Sequence, residues 1–179
     1  MQVQFTVTAP VSLRLISPDG VQTGSGYAEN RVTAVILNMA GYYETASAGA
    51  YTLIVEESLG TQVATSTFDF LGGSASISGV TLTWSWSTWS LDYTLEGISF
   101  KVSNTGDLPV CIYCGGGVSI DGQMEVLYLS DVVLPGEQKT ITKSLYISGI
   151  SSGQHTLTLT LKDSKDNVVC SYSGLVTPS

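Results

Sequence analysis

Positive charge is scarce in this 179-residue chain: seven Lys and Arg stand against fifteen Asp and Glu, for a net charge of -8. Arg14 and Arg31 are the only basic residues before Lys101. Phosphate backbones are held by clustered cations, so the composition argues against nucleic-acid binding and against docking on an anionic membrane. Charged residues of both signs make up only 12% of the chain. Glu, Lys and Ala are too few for a coiled coil. No apolar run approaches the roughly 20 residues of a membrane-spanning helix. Histidine occurs once, as His155, so no paired-imidazole site exists. There is no N-x-S/T sequon, so N-glycosylation is not expected.

Hydroxyls fill the space that charge leaves. Ser numbers 24 and Thr 20, beside 19 Gly, in a chain that is still 43% hydrophobic. That mixture suits strands and tight turns and makes poor helices. Period-two alternation runs almost throughout: Val3, Phe5 and Val7; Val11, Leu13 and Leu15; Ile98, Phe100 and Val102; Leu157, Leu159 and Leu161. Arg31 to Leu37 is apolar on both faces and reads as a central strand. Ser17-Pro18-Asp19-Gly20 and Asn104-Thr105-Gly106-Asp107 are turns, and Gly115-Gly116-Gly117 reads as a strand end. The pattern predicts an all-β protein of tandem immunoglobulin-like sandwiches, with a small-residue break over Leu71 to Ser78. The modules expected are 1–73 and 76–179. The N-terminus alternates like a strand and not like a signal peptide. A low-charge, Ser/Thr-rich β protein of this kind suits an extracellular, cell-surface or virion-surface setting, with Met1 placed on a mature chain or excised fragment.

Several segments of the second module follow a known order. Gly97 to Gly106 (GISFKVSNTG) resembles the strand and N-T-G turn of the cell-adhesion-related domain (CARDB) of bacterial and archaeal surface proteins. Leu134-Pro135-Gly136-Glu137 is similar to that family's L-x-P-G-E turn, and Ser152 to Leu159 (SGQHTLTL) to its late G-x-H strand. Asp163 to Val168 fits its acidic hairpin turn. The resemblance implies an immunoglobulin-like, CARDB or fibronectin-III-like sandwich of an archaeal or bacterial surface, appendage or virion protein. Its role would be adhesion, spacing or display, without chemistry and without a cofactor. Its partners would be other protein modules, surface subunits or glycans.

Chemistry-bearing residues are few, and each has a structural reading beside the functional one. Gly149-Ile150-Ser151-Ser152-Gly153 matches the G-x-S-x-G nucleophile pattern, which works on a strand-to-helix turn. Strand patterns flank it here, so Ser151 is expected in a hairpin loop, with His155 lacking an acid partner. Cys111-Ile112-Tyr113-Cys114 with His155 and Cys170 could nominally bind zinc, but the second half lacks ligand spacing. A disulfide from Cys170 to Cys111 or Cys114 is the preferred pairing. Cys111 and Cys114 themselves, three residues apart on a strand, would lie about 10 Å from each other, beyond the roughly 7 Å Cα limit of a bridge. Trp84 and Trp86 share the parity of Val80 and Leu82, which predicts core. Trp89, Tyr42 and Tyr43 fall outside it and are the candidate ligand or partner contacts. Asp163, Asp166 and Asn167 read as a turn cap before they read as a calcium loop. The leading function is a non-enzymatic structural or adhesion module. The alternative is a carbohydrate- or ligand-binding sandwich, and a hydrolase ranks behind both.

Overall fold

The strict alternation of Thr156 to Leu161 becomes a strand whose three Leu are fully buried and whose Thr point outward. The same rule shapes the whole chain. The computed structural model describes residues 1–4, 9–29, 34–57 and 59–179, apart from the side chains at 114 and 115. Phe5, Val7 and Arg31 to Thr33 lie outside the described residues. All regular structure among those described is strand: β1 (Gln2–Gln4), β2 (Val11–Ile16), β3 (Gln22–Ala28), β4 (Ala34–Ile36), β5 (Gly49–Glu57), β6 (Gln62–Phe70), β7 (Ala75–Ser87), β8 (Asp92–Asn104), β9 (Val110–Ile120), β10 (Gln123–Leu127), β11 (Ser130–Val133), β12 (Gln138–Ile150), β13 (His155–Lys162) and β14 (Val168–Val176). The chain forms two compact units. One comprises Met1–Tyr42 and Ala46–Gly72, the other Tyr43–Thr45 and Gly73–Ser179.

In the first unit a four-stranded antiparallel sheet, ordered β3-β2-β5-β6, is accompanied by the β1–β4 pair. Leu13, Leu15, Tyr51 and Leu53 are buried on one face of the larger sheet. Gly26 lies where a Cβ would strike the Val35 and Leu37 side chains, so its lack of a side chain lets β4 approach β3. The Ser17–Gly20 turn closes by the Gly20 amide on the Ser17 carbonyl at 2.9 Å, with Gly20 at φ 81°. Arg31 to Leu37 does not behave as a central strand over its described part. Only Ala34–Ile36 is strand, it pairs with β1, and Ile36 is exposed.

In the second unit a three-stranded sheet, β12-β8-β7, faces a five-stranded one, β10-β9-β13-β14, with β11 also on β9. The chain crosses from the smaller sheet to the larger between β12 and β13, as in immunoglobulin-like sandwiches. Phe100, Val102, Ile112, Val118, Leu157 and Leu159 are among the side chains sealed between the sheets. Two expectations fail here. Strand structure resumes at Ala75, pairing with Asn104, so Ala75 to Ser78 is not linker. The glycine triplet does not end a strand either: β9 runs through it to Ile120. A Cβ on Gly116 would collide with the Thr160 carbonyl of β13, and one on Gly117 would lie 2.9 Å from the Glu125 carbonyl of β10. These glycines let neighbouring backbones close in.

The two quoted turns of the second unit meet. Asn104, buried at the end of β8, donates from its amide nitrogen to the Leu108 and Val133 carbonyls at 2.8 and 2.9 Å. Its side-chain oxygen accepts from the Gly106 amide at 2.9 Å. Its own backbone exchanges bonds with Gly136 and Glu137 at 3.0 Å. Pro135 and Gly136, the latter at φ 75°, make the turn that delivers Glu137, whose carboxylate accepts from the Leu134 amide at 2.8 Å.

Candidate functional site

His155 opens β13 and is buried at 9% exposure. Its Nδ1 lies 2.7 Å from an Asp121 carboxylate oxygen, and its Nε2 lies 2.9 Å from the Ser151 main-chain carbonyl. The acid partner that the sequence did not reveal is therefore present, 34 residues upstream in the turn between β9 and β10. Asp121 adopts φ 46°, and its other carboxylate oxygen accepts from the Thr156 amide at 2.8 Å. Asp, His and Ser thus lie together, but the imidazole meets the wrong oxygen for catalysis. A carbonyl and an ionised carboxylate only accept, so the ring satisfies both partners when both of its nitrogens carry hydrogen. The hydrogen bonds to Asp121 and Ser151 push the His155 pKa above its ordinary value, and the bond from His155 holds Asp121 below its own. When protonated, the ring clamps two turns, and it then has no lone pair to take a proton from the Ser151 hydroxyl. Ser151 also does not sit in a hairpin: it follows β12 in one sheet and precedes β13 in the other.

The expected disulfide is not formed: Cys111 and Cys170 are free thiols. The strand order gives the reason. Cys170 on β14 is opposite Leu161 of β13, and β13 separates β14 from β9. Two inter-strand spacings make about 9.6 Å, too far for a bridge. Burial pushes the Cys170 thiol up to about 11. Burial first, then the Asp163 charge, raises that of Cys111. Neither is a reactive thiolate at neutral pH. The side chain of Cys114 lies outside the described residues.

Among the tryptophans, parity is right for Trp84, which packs against the core and meets Tyr93 edge-on at 6.5 Å. Trp86 follows the same parity, but it is 47% exposed, its ring 4.7 Å from that of Tyr93. It stands where β7 and β8 approach their connecting turn. Trp89, in that turn, is 97% exposed. Leu91, two residues on, is exposed and held at φ 56°. Of the other candidates, Tyr42 is exposed, whereas Tyr43 stacks on Tyr113 at 5.0 Å and its hydroxyl accepts from Ser130 at 2.8 Å. Tyr43–Thr45 belongs to the second unit, where Thr45 Oγ1 bonds the Cys111 amide and carbonyl at 3.1 and 3.2 Å. Sequence periodicity had no means of assigning that three-residue segment to strands more than sixty residues away.

Asp163 is buried, its carboxylate accepting from the amides of Lys165 and Asn167 at 2.9 and 3.0 Å and from the Asn167 side chain at 3.2 Å. Its oxygens are spent on the turn, and Asp166 pairs with Lys162 at 2.8 Å. No metal-ligating group of three occurs among the described residues, and no helix there is long and apolar enough to cross a membrane.

No family model matches the chain, and no curated protein matches it significantly. Solved structures similar to it include an exo-chitosanase of Amycolatopsis orientalis, at TM-score 0.43 and 9% identity over 99% of this chain and 25% of that one. Another is a transglutaminase of red sea bream, at TM-score 0.38 and 9% identity over 99% of this chain and 28% of that one. The chain spans about a quarter of the length of these proteins. Neither likeness is close enough to transfer an activity.

Proposed function

We propose that this chain is a non-enzymatic pair of β-sandwich modules from a cell-surface, appendage or virion-surface protein, serving adhesion, spacing or display. The observation that carries the reading is the state of His155. The one imidazole is held at both nitrogens, by Asp121 and by the Ser151 carbonyl, and the buried acid Asp163 is likewise consumed by its turn. The polar groups that could do chemistry are building connections between strands. The meeting of the N-T-G and L-x-P-G-E turns around Asn104 supports the resemblance to surface-protein modules. Two measurements test the proposal. A fluorophosphonate probe should leave Ser151 unlabelled, and labelling would overturn the non-enzymatic reading. An antibody to the chain should label intact source cells or virions; labelling only after permeabilisation would overturn the surface setting.

A second reading rests on Trp89. A tryptophan 97% exposed at a turn, near a half-exposed Trp86, supports binding of an apolar or sugar-ring ligand there. Quenching or shift of tryptophan emission on adding neutral oligosaccharides, lost in Trp89→Ala, is its test. Unchanged emission across a glycan panel would remove it.

A further inference from the structure

β6 is poorly covered on every side. Seven of its nine residues are exposed, and among the described residues it packs along its length with β5 alone. Other sheet margins meet a strand of the facing sheet: β3 meets β4, β7 meets β14 and β12 meets β10. The bare side of β6 includes its core-facing side. Ala64, Ser66, Phe68 and Phe70 stand opposite Val55, Leu53, Tyr51 and Gly49 of β5, and Leu53 and Tyr51 are buried. Ala64 and Ser66 are nevertheless exposed, and the two Phe are half-buried. Beside them a cleft of about 370 Å³ lies between β6 and β1, lined by Met1, Gln2, Val3, Gln4, Phe68 and Phe70. Natural edges are commonly guarded by Lys or Pro. β6 has neither, and its one charge is Asp69.

We propose that β6 accepts one further β-strand from another polypeptide, paired along its free edge and placing alternate side chains in the cleft. The backbone decides the class of partner. A free strand edge presents a row of N–H and C=O groups at strand spacing, and another extended backbone matches that row in register. A small apolar molecule in the cleft would leave the row to water. Charge narrows the choice further. Asp69 is exposed near one end of β6. At the other end stands exposed Glu57, whose amide bonds the Thr61 carbonyl at 3.0 Å. Neither carboxylate is in an ion pair among the described residues. The fitting strand is therefore uncharged and alternately apolar in its middle, with Lys or Arg at each end. The β6 edge of a second copy fits less well, because it brings another Asp69 and no cation.

The probe is a peptide matched to the nine residues of β6, alternating Thr and Val with a Lys at each end, added to the full chain. Hydrogen exchange read by mass spectrometry should slow over Gln62–Phe70 and stay unchanged over β14, a margin that already has a neighbour. The same peptide N-methylated at every amide keeps its side chains and should protect nothing. Ser66→Lys, on the cleft side, should weaken peptide binding at least about tenfold, with unchanged circular dichroism. Thr65→Lys carries the same charge on the outward side and should keep most of the binding. Asp69→Asn should weaken binding and reduce its dependence on salt. Three results would overturn the proposal. One is no protection of Gln62–Phe70 at millimolar peptide. Another is equal protection by the N-methylated peptide, which would make the cleft a site for apolar side chains or small molecules. The third is protection that appears without peptide and rises with protein concentration, which would make the occupant a second copy.

Discussion

At the scale of single residues, His155 acts through its charge. Its pKa is raised in the folded chain, so the stability it contributes is complete below the unfolded imidazole value of about 6.5 and is lost as pH climbs through the raised folded value. Asp121 runs the other way: its pKa is depressed, so its contribution is present above the unfolded carboxylate value of about 3.9 and is lost as pH falls through the folded value. The clamp is therefore most intact from roughly pH 4 to 6.5. Above the raised folded value a neutral ring keeps one hydrogen for two acceptors, and the unprotonated nitrogen faces an oxygen lone pair. Urea denaturation from pH 6 to pH 9 should show wild-type stability declining, with His155→Gln flattening that decline. Because the chain has one histidine, its ring resonances titrate without ambiguity. A midpoint at or below the ordinary value would refute the clamp.

At the scale of elements, connections between strands are stabilised by buried polar side chains, and Asn104 is the clearest case. It ties the end of β8 to the start of β9 through Leu108, to β11 through Val133 and to the turn before β12 through Gly136 and Glu137. Asn104→Ala would keep the backbone bonds and strand the Leu108 and Val133 carbonyls without partners. Leaving such groups buried costs about 1–3 kcal/mol each, so the variant should lose roughly 3 kcal/mol and melt more than 10 °C lower. Asn104→Asp should fail to rescue it, since a carboxylate offers those carbonyls no donor. A loss under about 0.5 kcal/mol, the scale of ordinary surface changes, would show that the side chain is dispensable.

The same element scale separates what the sequence makes legible from what it hides. Alternation in Gly97–Ser103 and Thr156–Leu161 is local, and it placed both strands and their inward faces correctly. Glycine is ambiguous locally: in Gly115-Gly116-Gly117 it looks like a stop, but its reason is the backbone of β13, over forty residues away. Trp86 shows a third limit. Parity put it on the inner face, but it stands near the end of the strand and remains half exposed. The Asp121–His155 contact and the docking of Tyr43–Thr45 depend on which strands become neighbours, and no spacing along the chain encodes that.

At the scale of the whole molecule, the two units differ in how much they bury. Among the described residues the first unit encloses eight buried hydrophobic side chains, three of them Ala or Val, and the second encloses nineteen in one cluster. The first unit's 69 residues make a marginal core, because small domains hide a smaller share of their surface. The first unit should therefore unfold at the lower temperature. The tryptophans allow this to be seen directly, since Trp84, Trp86 and Trp89 all belong to the second unit. Heating should produce an early change in far-ultraviolet circular dichroism with tryptophan emission unmoved, then a second change in which both respond. Trp84 and Trp86 pack against Tyr93 within the second unit, so their emission follows the opening of that unit alone. A single transition in which both signals coincide would mean that the units unfold as one cooperative body. Two transitions with the tryptophan change first would mean that the larger core is the weaker one, and area burial would not set the order of melting.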